Sequence, residues 1–519
     1  MSTSGIIDRG VRAARIGLAV RNMKNSDDPE TREKARRALA AMFADSRGVT
    51  MKFGQLMAAG EDGEAFRDLV GSIEPLPLSA MLPVIEAELG RSIAEVFSEI
   101  RESEHAASLG QVHRATLLDG TDVAVKVQYP FIADAIDAEM RLFGLMPGVG
   151  PVRKWGFDLD GYKRALKENM SRELDYRNEA ERQMRFREAV RIPGLVVPKV
   201  FPELSTARVL TQAWESGVPL SSATSWSVEE RASVGRILLG TLLASMIEVG
   251  EVHGDPHAGN FAFRKRPDGS PEVVLMDFGC TVPVARAERL ALLRTIIAVR
   301  EGEDLNALNA FAAMGFEAEK LALISGGLGT LAHILFAPFK HQQKFFIQHW
   351  DLKARFESLL GENRWWFRAS GPPAHILLLR GFFGLAQQLH ELRAGMPWWE
   401  VMNASLSPAL IAEARHMTIP PVAPDITARA QQIISSVRLA DHLRVRVSQG
   451  GINIVDLSMP AEAVLRLEEL IPEETLNYLR DSDDWDLPEI MADIRAHGVS
   501  PREIMQFEKG PKQYRIWLS

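Results

Sequence analysis

The stretch Val252-His253-Gly254-Asp255-Pro256-His257-Ala258-Gly259-Asn260, followed by Met276-Asp277-Phe278-Gly279, decides the reading of this chain. An Asp with an Asn five residues later, then a second Asp opening Asp-Phe-Gly, is a phosphoryl-transfer set. In that set Asp255 orients or deprotonates the attacking hydroxyl, while Asn260 and Asp277 grip Mg²⁺ between the phosphates. Two such segments in this order say far more than either alone. They predict a chain that handles ATP with Mg²⁺.

The rest of a nucleotide site should lie upstream. Asp119-Gly120 reads as a hairpin turn between strands 114–118 and 121–127. Along the second strand Val123, Val125 and Val127 share one face, and Ala124 and Lys126 the other. An adenine can then slide over Ala124 while the Lys126 ammonium reaches the α/β phosphates. Val-Ala-Val-Lys alone is an ordinary surface strand; the downstream segments change its weight. Lys126 needs a carboxylate to hold it, and the helical segment Tyr162 to Arg191 offers Glu173, Asp175 and Glu179. At about 100° per residue, Asp175 and Glu179 share a face and Glu173 points away. Glu179 is therefore the expected partner of Lys126, with Glu173 and Asp175 facing different neighbours. For any single carboxylate, a solvated face shared with Arg172, Arg177 and Arg182 explains the pattern equally well.

Taken together, Lys52-Phe-Gly-Gln55, Ala106-Ala-Ser-Leu-Gly-Gln-Val-His113, Val123-Ala-Val-Lys-Val-Gln-Tyr-Pro130, Glu173-Leu-Asp-Tyr176, His253-Gly-Asp255 and Asp277-Phe-Gly279 resemble the AarF/UbiB (ADCK-like) atypical kinases, from about Thr50 to about Arg393. The resemblance implies a kinase-like fold whose nucleotide site is covered by an N-terminal extension. In that family the lysine of the extension, here Lys52, contacts the Glu-x-Asp pair, here Glu173 and Asp175. Such a lid occupies the space of a protein substrate. The resemblance accordingly implies a Mg-dependent ATPase or a small-molecule or lipid phosphotransferase, linked to ubiquinone or other isoprenoid lipid metabolism and to quinone-pathway enzymes as partners.

Departures from ordinary protein kinases point the same way. The phosphate-covering loop, normally Gly-rich, is Ala106-Ala107-Ser108-Leu109-Gly110, whose methyl groups narrow the range of backbone conformations. Gly254 stands where protein kinases usually carry Arg, which leaves no local partner for an activation-loop phosphate. No Ala-Pro-Glu follows Asp277 at short range.

Bulk properties bound the remaining choices. A formal charge of −8 gives no global attraction to nucleic acid. The single cysteine, Cys280, excludes an intramolecular disulfide and suits a reducing compartment. His253 and His257 read as scaffold for the catalytic loop, since no Cys/His cluster has metal-ligand spacing. No secretory leader is evident, and no apolar run approaches the roughly 18 residues of a membrane span. The longest, Ile376 to Leu385, is interrupted by Arg380. Residues Ile6 to Arg21 mix aliphatics with arginines, as a helix at an anionic membrane or one packed on its own domain would. The expected location is cytoplasmic, peripheral at the inner membrane face, with an isoprenoid or quinone-type lipid or the membrane surface as partner beside ATP.

The expected class is α+β, a bilobal protein-kinase-like fold. A helical extension over 1–100, broken by Pro75, Pro77 and Pro83, precedes an N-lobe over 101–211 and a C-lobe over 212–418. Backbone groups of Gln212, Ala213 and Trp214 at the inter-lobe hinge are expected to bond adenine. Ser227-Val-Glu-Glu230 is a capping box opening the C-lobe. Ile419-Pro-Pro-Val-Ala-Pro424 is a linker, and 425–519 is expected to be a mostly helical appendage with a short hairpin near Gln449-Gly-Gly-Ile452. Two alternatives stand beside the ATPase: a small-molecule phosphotransferase, and a nucleotide-gated, non-catalytic adaptor.

Overall fold

The computed structural model describes residues 75–103, 105–106, 109–130, 132–133, 158–340, 342–426, 440, 442–480, 488–491, 494 and 501–519. Lys52, Ala107, Ser108 and the 6–21 segment lie outside the described residues. The first described helix, α1 (Leu78–Leu89), passes through Pro83 instead of breaking there. Pro83 and Ser79, whose carbonyl loses its helical donor, are both exposed, so the lost bond falls on the solvent side of the helix. The expected helical stretch ends before residue 100, because β1 (Phe97–Ile100) is already a strand.

Strands β2 (His105–Ala106), β3 (Gly110–Leu117), β4 (Asp122–Gln128), β5 (Leu195–Val196) and β6 (Val209–Ala213) follow. The N-lobe sheet runs β1-β3-β4-β6, with β2 on β3, and every pairing is antiparallel. The β3–β4 turn holds Gly120 at φ 86°, a conformation that favours glycine. Val123, Val125 and Val127 are fully buried in one cluster with Met81 and Ile85 of α1. Each buried valine contributes about 1.5–3 kcal/mol relative to an exposed one. That apolar face fixes the register, and a one-residue slip would turn Lys126 into the core.

The helical segment between β4 and β5 is two helices, α2 (Leu159–Glu173) and α3 (Tyr176–Ala189). The break falls at Leu174-Asp175, where the Asp175 carboxylate caps α3 by accepting from the Arg177 amide. The expectation of one continuous helix is corrected here.

The C-lobe opens with α4 (Val228–Leu243), started by the Ser227/Glu230 capping box. Its extension to Val249 is the one described helix long and apolar enough to cross a membrane, yet 67% of that window is buried, with Val234, Ile237, Leu238 and Leu239 in the main core. Next come β7 (Glu251–His253), β8 (Phe261–Lys265), β9 (Pro271–Leu275) and β10 (Thr281–Pro283). Strands β8 and β9 form a hairpin, β10 pairs β7, and β5 adds to β9 in parallel. Helices α5 (Arg286–Glu301) and α6 (His375–Glu391), with shorter ones, complete the lobe, and a small pair β11 (Phe345–Phe346) and β12 (Gly395–Met396) ties its far end.

Among its described residues the 425–519 appendage has more strand than the helical expectation allowed. It is built on a four-stranded antiparallel sheet, β13 (His442–Gln449), β14 (Ile452–Pro460), β15 (Arg502–Lys509) and β16 (Lys512–Leu518), ordered β14-β13-β16-β15. Short helices, Leu467–Leu470 and Glu473–Arg480, lie between β14 and β15. The alternation Leu443-Arg444-Val445-Arg446-Val447 has a strand's period, with Leu443 and Val447 buried and the residues between them half-buried. The expected hairpin is present, with Gly450 and Gly451 both at positive φ.

Candidate nucleotide and metal site

The Lys126 ammonium sits between two carboxylates. Its Nζ donates to Glu179 Oε1 at 2.7 Å and to Asp277 Oδ2 at 2.8 Å. The Tyr176 ring lies 5.0 Å below it. Glu179, Lys126 and Asp277, 53 and 151 residues apart in paired sequence distance from Lys126, therefore meet as their motifs predict. Burial disfavours charge on Lys126, but the Asp277 and Glu179 carboxylates outweigh it and hold its pKa well above the ordinary lysine value. Burial also pushes the Glu179 carboxyl up to about 7, against the pull of Lys126.

The helix break changes the geometry of the other acids. Glu173 is buried, with its Oε1 accepting from Asn169 Nδ2 at 2.7 Å. A methyl group built at Gly279 would lie 3.3 Å from Glu179 Oε2, 3.4 Å from Asp277 Oδ1 and 3.8 Å from Glu173 Cγ. Glu173 and Glu179 thus converge on the Asp-Phe-Gly segment, where a continuous helix would have separated them. Asp175 instead turns outward and forks with Arg177 at 3.0 Å, which lowers its pKa. Glu173 and Asp175 do face different neighbours, but Asp175 does not share the face of Glu179.

The catalytic loop is anchored on its histidine. Buried His253 donates from Nε2 to the Asp277 carbonyl and accepts from the Asp255 amide at Nδ1, 3.2 Å away. Burial lowers its pKa and keeps it neutral, consistent with that donor–acceptor pattern. Asn260 Nδ2 donates to the Asp255 carbonyl at 2.8 Å, and the Asn260 carbonyl accepts from the Met276 amide at 3.0 Å. That ladder contact sets Asn260 beside Asp277. His257 accepts from the Gly259 amide, a scaffold role as expected.

One residue of the site was missed by sequence reasoning in this role. Arg380, on α6, reaches Asp255 with Nη2 to Oδ1 at 2.6 Å, and both side chains are largely buried. Its signal was present: a charge interrupting an apolar helix must find a partner if that helix is buried. Helix α6 comes this close because Gly381 and Gly384 face the loop. Methyl groups there would stand 2.8 Å from the His253 carbonyl and from Pro256 Cγ. Gln388 Nε2, further along α6, donates to the Pro256 carbonyl at 2.9 Å. Gly254 is equally constrained, since a methyl group would lie 2.9 Å from Cys280 Sγ.

The remaining expected residues that are described lie in the N-lobe sheet and at its hinge. Gly110 is part of β3, where a methyl group would stand 2.0 Å from the Val127 carbonyl, so the close strand crossing demands it. Ala106 pairs with Gln111 across β2–β3. Ala124 lies opposite Gln212. At the hinge the Ala213 amide donates to the Lys199 carbonyl at 2.7 Å, and the Trp214 amide to the Asp122 carbonyl at 3.0 Å. Those two amides are engaged within the protein. Trp214 carries Arg114 over its ring.

The residues present fit Mg²⁺. Asp277 and Asn260 give one carboxylate and one amide oxygen, a hard-oxygen set for an ion completed by phosphates and water. Among the described residues no cluster of three or more His, Cys, Asp or Glu could hold a metal by itself. When bound, Mg²⁺ would neutralise phosphate charge; Lys126, held by Glu179, would place the phosphates.

Residues 68–310 match the family described as "ABC1 atypical kinase-like domain". Among curated relatives, the mitochondrial atypical kinase COQ8B of Danio rerio is 28% identical over 311 residues, 56% of this chain and 49% of that protein. The mitochondrial atypical kinase coq-8 of Caenorhabditis elegans is 29% identical over 253 residues, 47% of this chain and 34% of that protein. The chain thus spans about half or less of the length of these relatives. A solved structure, the Rv3197–erythromycin complex from Mycobacterium tuberculosis, is 26% identical, with a TM-score of 0.47 and coverage of 72% of this chain and 95% of that one. The lysine, paired glutamate and Asp-Phe-Gly thus lie in a region, residues 68–310, that matches the ABC1 atypical kinase-like domain and is similar to the COQ8 atypical kinases.

Proposed function

We propose that this chain is a Mg²⁺-dependent ATPase that supports ubiquinone or other isoprenoid lipid metabolism and is not a protein kinase. The observation that carries the ATP assignment is Lys126 held between Glu179 and Asp277, the preorganised arrangement that phosphate binding requires. Lys126 takes the α/β phosphates, Glu179 positions it, and Asn260 with Asp277 holds the metal. Asp255, paired with Arg380, is read as an orienting carboxylate, because the guanidinium fixes where its side chain points. Lys52 is assigned to the lid by resemblance. The lipid link rests on the relatives, two of which are named mitochondrial COQ8-type kinases. We place the protein in a reducing compartment, peripheral at a membrane face.

The test is ATP hydrolysis by the purified chain, alone and with anionic liposomes plus a ubiquinone-precursor-like phenol. Mg²⁺-dependent turnover that rises with liposomes and disappears in Asp277→Asn supports the proposal. Nucleotide binding without turnover under every condition overturns the ATPase and favours the adaptor, while a phosphorylated acceptor favours the phosphotransferase.

A further inference from the structure

Glu179 is not the only side chain that α3 sends toward the cleft. Gln183, one turn later and fully buried, donates from Nε2 to the Pro198 carbonyl at 2.9 Å and to Gln212 Oε1. Gln212, on β6, donates in turn from Nε2 to the Met276 carbonyl at 3.2 Å. Met276 immediately precedes Asp277. Both backbone acceptors are carbonyls, so each amide has one orientation that satisfies the chain of bonds. Gln212 stands directly across the ladder from Ala124, hence on the sheet face that also carries Lys126.

Two cross-links therefore run in parallel from α3 to the Asp277 segment. One is ionic, Glu179 to Lys126 to Asp277; the other is a neutral amide relay, Gln183 to Gln212 to Met276. Any outward movement of α3 must break both together. The ionic link alone cannot hold the geometry during nucleotide binding, because Asp277 and Lys126 are the groups that metal and phosphate recruit. The amide relay uses neither of those two side chains.

From this geometry we infer that Gln183 and Gln212 are positioning residues that keep α3 and Asp277 in the arrangement competent for Mg²⁺-nucleotide, an inference that rests on the nucleotide reading above. Residues that orient a metal-binding carboxylate from behind typically change metal affinity by about 10–100-fold. An apolar pair at these positions would fill the same space without tying α3 to the metal strand.

The experiment titrates Mg²⁺ into wild-type protein with a fluorescent ATP analogue, and repeats this for Gln212→Met, Gln183→Met and the double variant. Thermal unfolding is followed in parallel. Each single variant leaves a buried amide half-satisfied and should unfold at lower temperature; the double removes both amides but leaves the Pro198 and Met276 carbonyls without these donors, so it too should unfold below wild type. In a double variant that is folded at the assay temperature, the half-saturating Mg²⁺ concentration should rise by about tenfold or more. A double variant that folds and keeps the wild-type Mg²⁺ dependence overturns the inference alone. A wild-type protein that binds no nucleotide overturns the nucleotide reading, and the inference with it.

Discussion

Arg380 pairs with Asp255 across 125 residues of sequence, at 2.6 Å, with the two side chains only 10% and 13% exposed. A helix that follows the catalytic loop so late in the chain thus supplies the charge that balances its central carboxylate.

Removing one partner of a buried ion pair leaves the other uncompensated. Arg380→Met should destabilise the chain by about 3–5 kcal/mol, measured by urea unfolding. Asp255→Asn combined with Arg380→Gln should recover part of that loss. Equal stability of Arg380→Met and wild type would show that the pair does not form in solution.

The pH dependence has a definite sign. The Glu179 carboxyl releases its proton at about 7 in the folded chain, against the ordinary value of 4.5. Between these values the unfolded chain binds fewer protons, so this group's contribution to stability falls as pH rises and levels off above about 7. Buried His253, lowered from 6.5, acts oppositely: its contribution is intact above 6.5 and is lost as pH falls. The difference between wild type and Glu179→Gln isolates the first slope, read from urea midpoints between about pH 5 and about pH 8. Nucleotide affinity should rise as pH passes about 7 in wild type, because the ionised carboxylate then holds Lys126, and should stay flat in Glu179→Gln.

Asp277→Asn should abolish Mg²⁺-dependent nucleotide binding while leaving a folded protein, since Asn keeps the shape and the Gly279 amide contact can be made to its carbonyl oxygen. Circular dichroism checks the fold, and calorimetric titration with Mg·ATP reads the loss.

Restoring a side chain at position 254 should be costly. Gly254→Ala places its methyl group 2.9 Å from Cys280 Sγ and 3.2 Å from Val282 Cγ2. A loss of about 1–3 kcal/mol follows from the overpacking, and Cys280→Ala in the same chain should relieve most of it. No relief would place the strain in the backbone.

Much of this site was legible because its residues lie in short motifs whose chemistry is local. Lys126 is placed by strand alternation, Asp277 by its Asp-Phe-Gly motif, and Glu179 by helical phase along the 162–191 segment. The error over Glu173 and Asp175 came from phasing them across a break. Leu174-Asp175 contains neither Gly nor Pro, and only the capping capacity of Asp175 marked the boundary. Arg380 was hidden differently, since its partner is fixed by tertiary packing and not by spacing. In the appendage the two-residue period of β13 was present in the sequence, but its polar outer face of arginines gave little apolar contrast.

Gly254, Gly381 and Gly384 bring two distant segments within methyl-group distance of each other. In a chimera with a relative, the 252–260 loop and the 375–391 helix therefore form a single exchangeable unit. Swapping either alone risks bringing a side chain into space that its counterpart does not vacate, whereas moving both transfers a matched surface together with its Arg380–Asp255 pair.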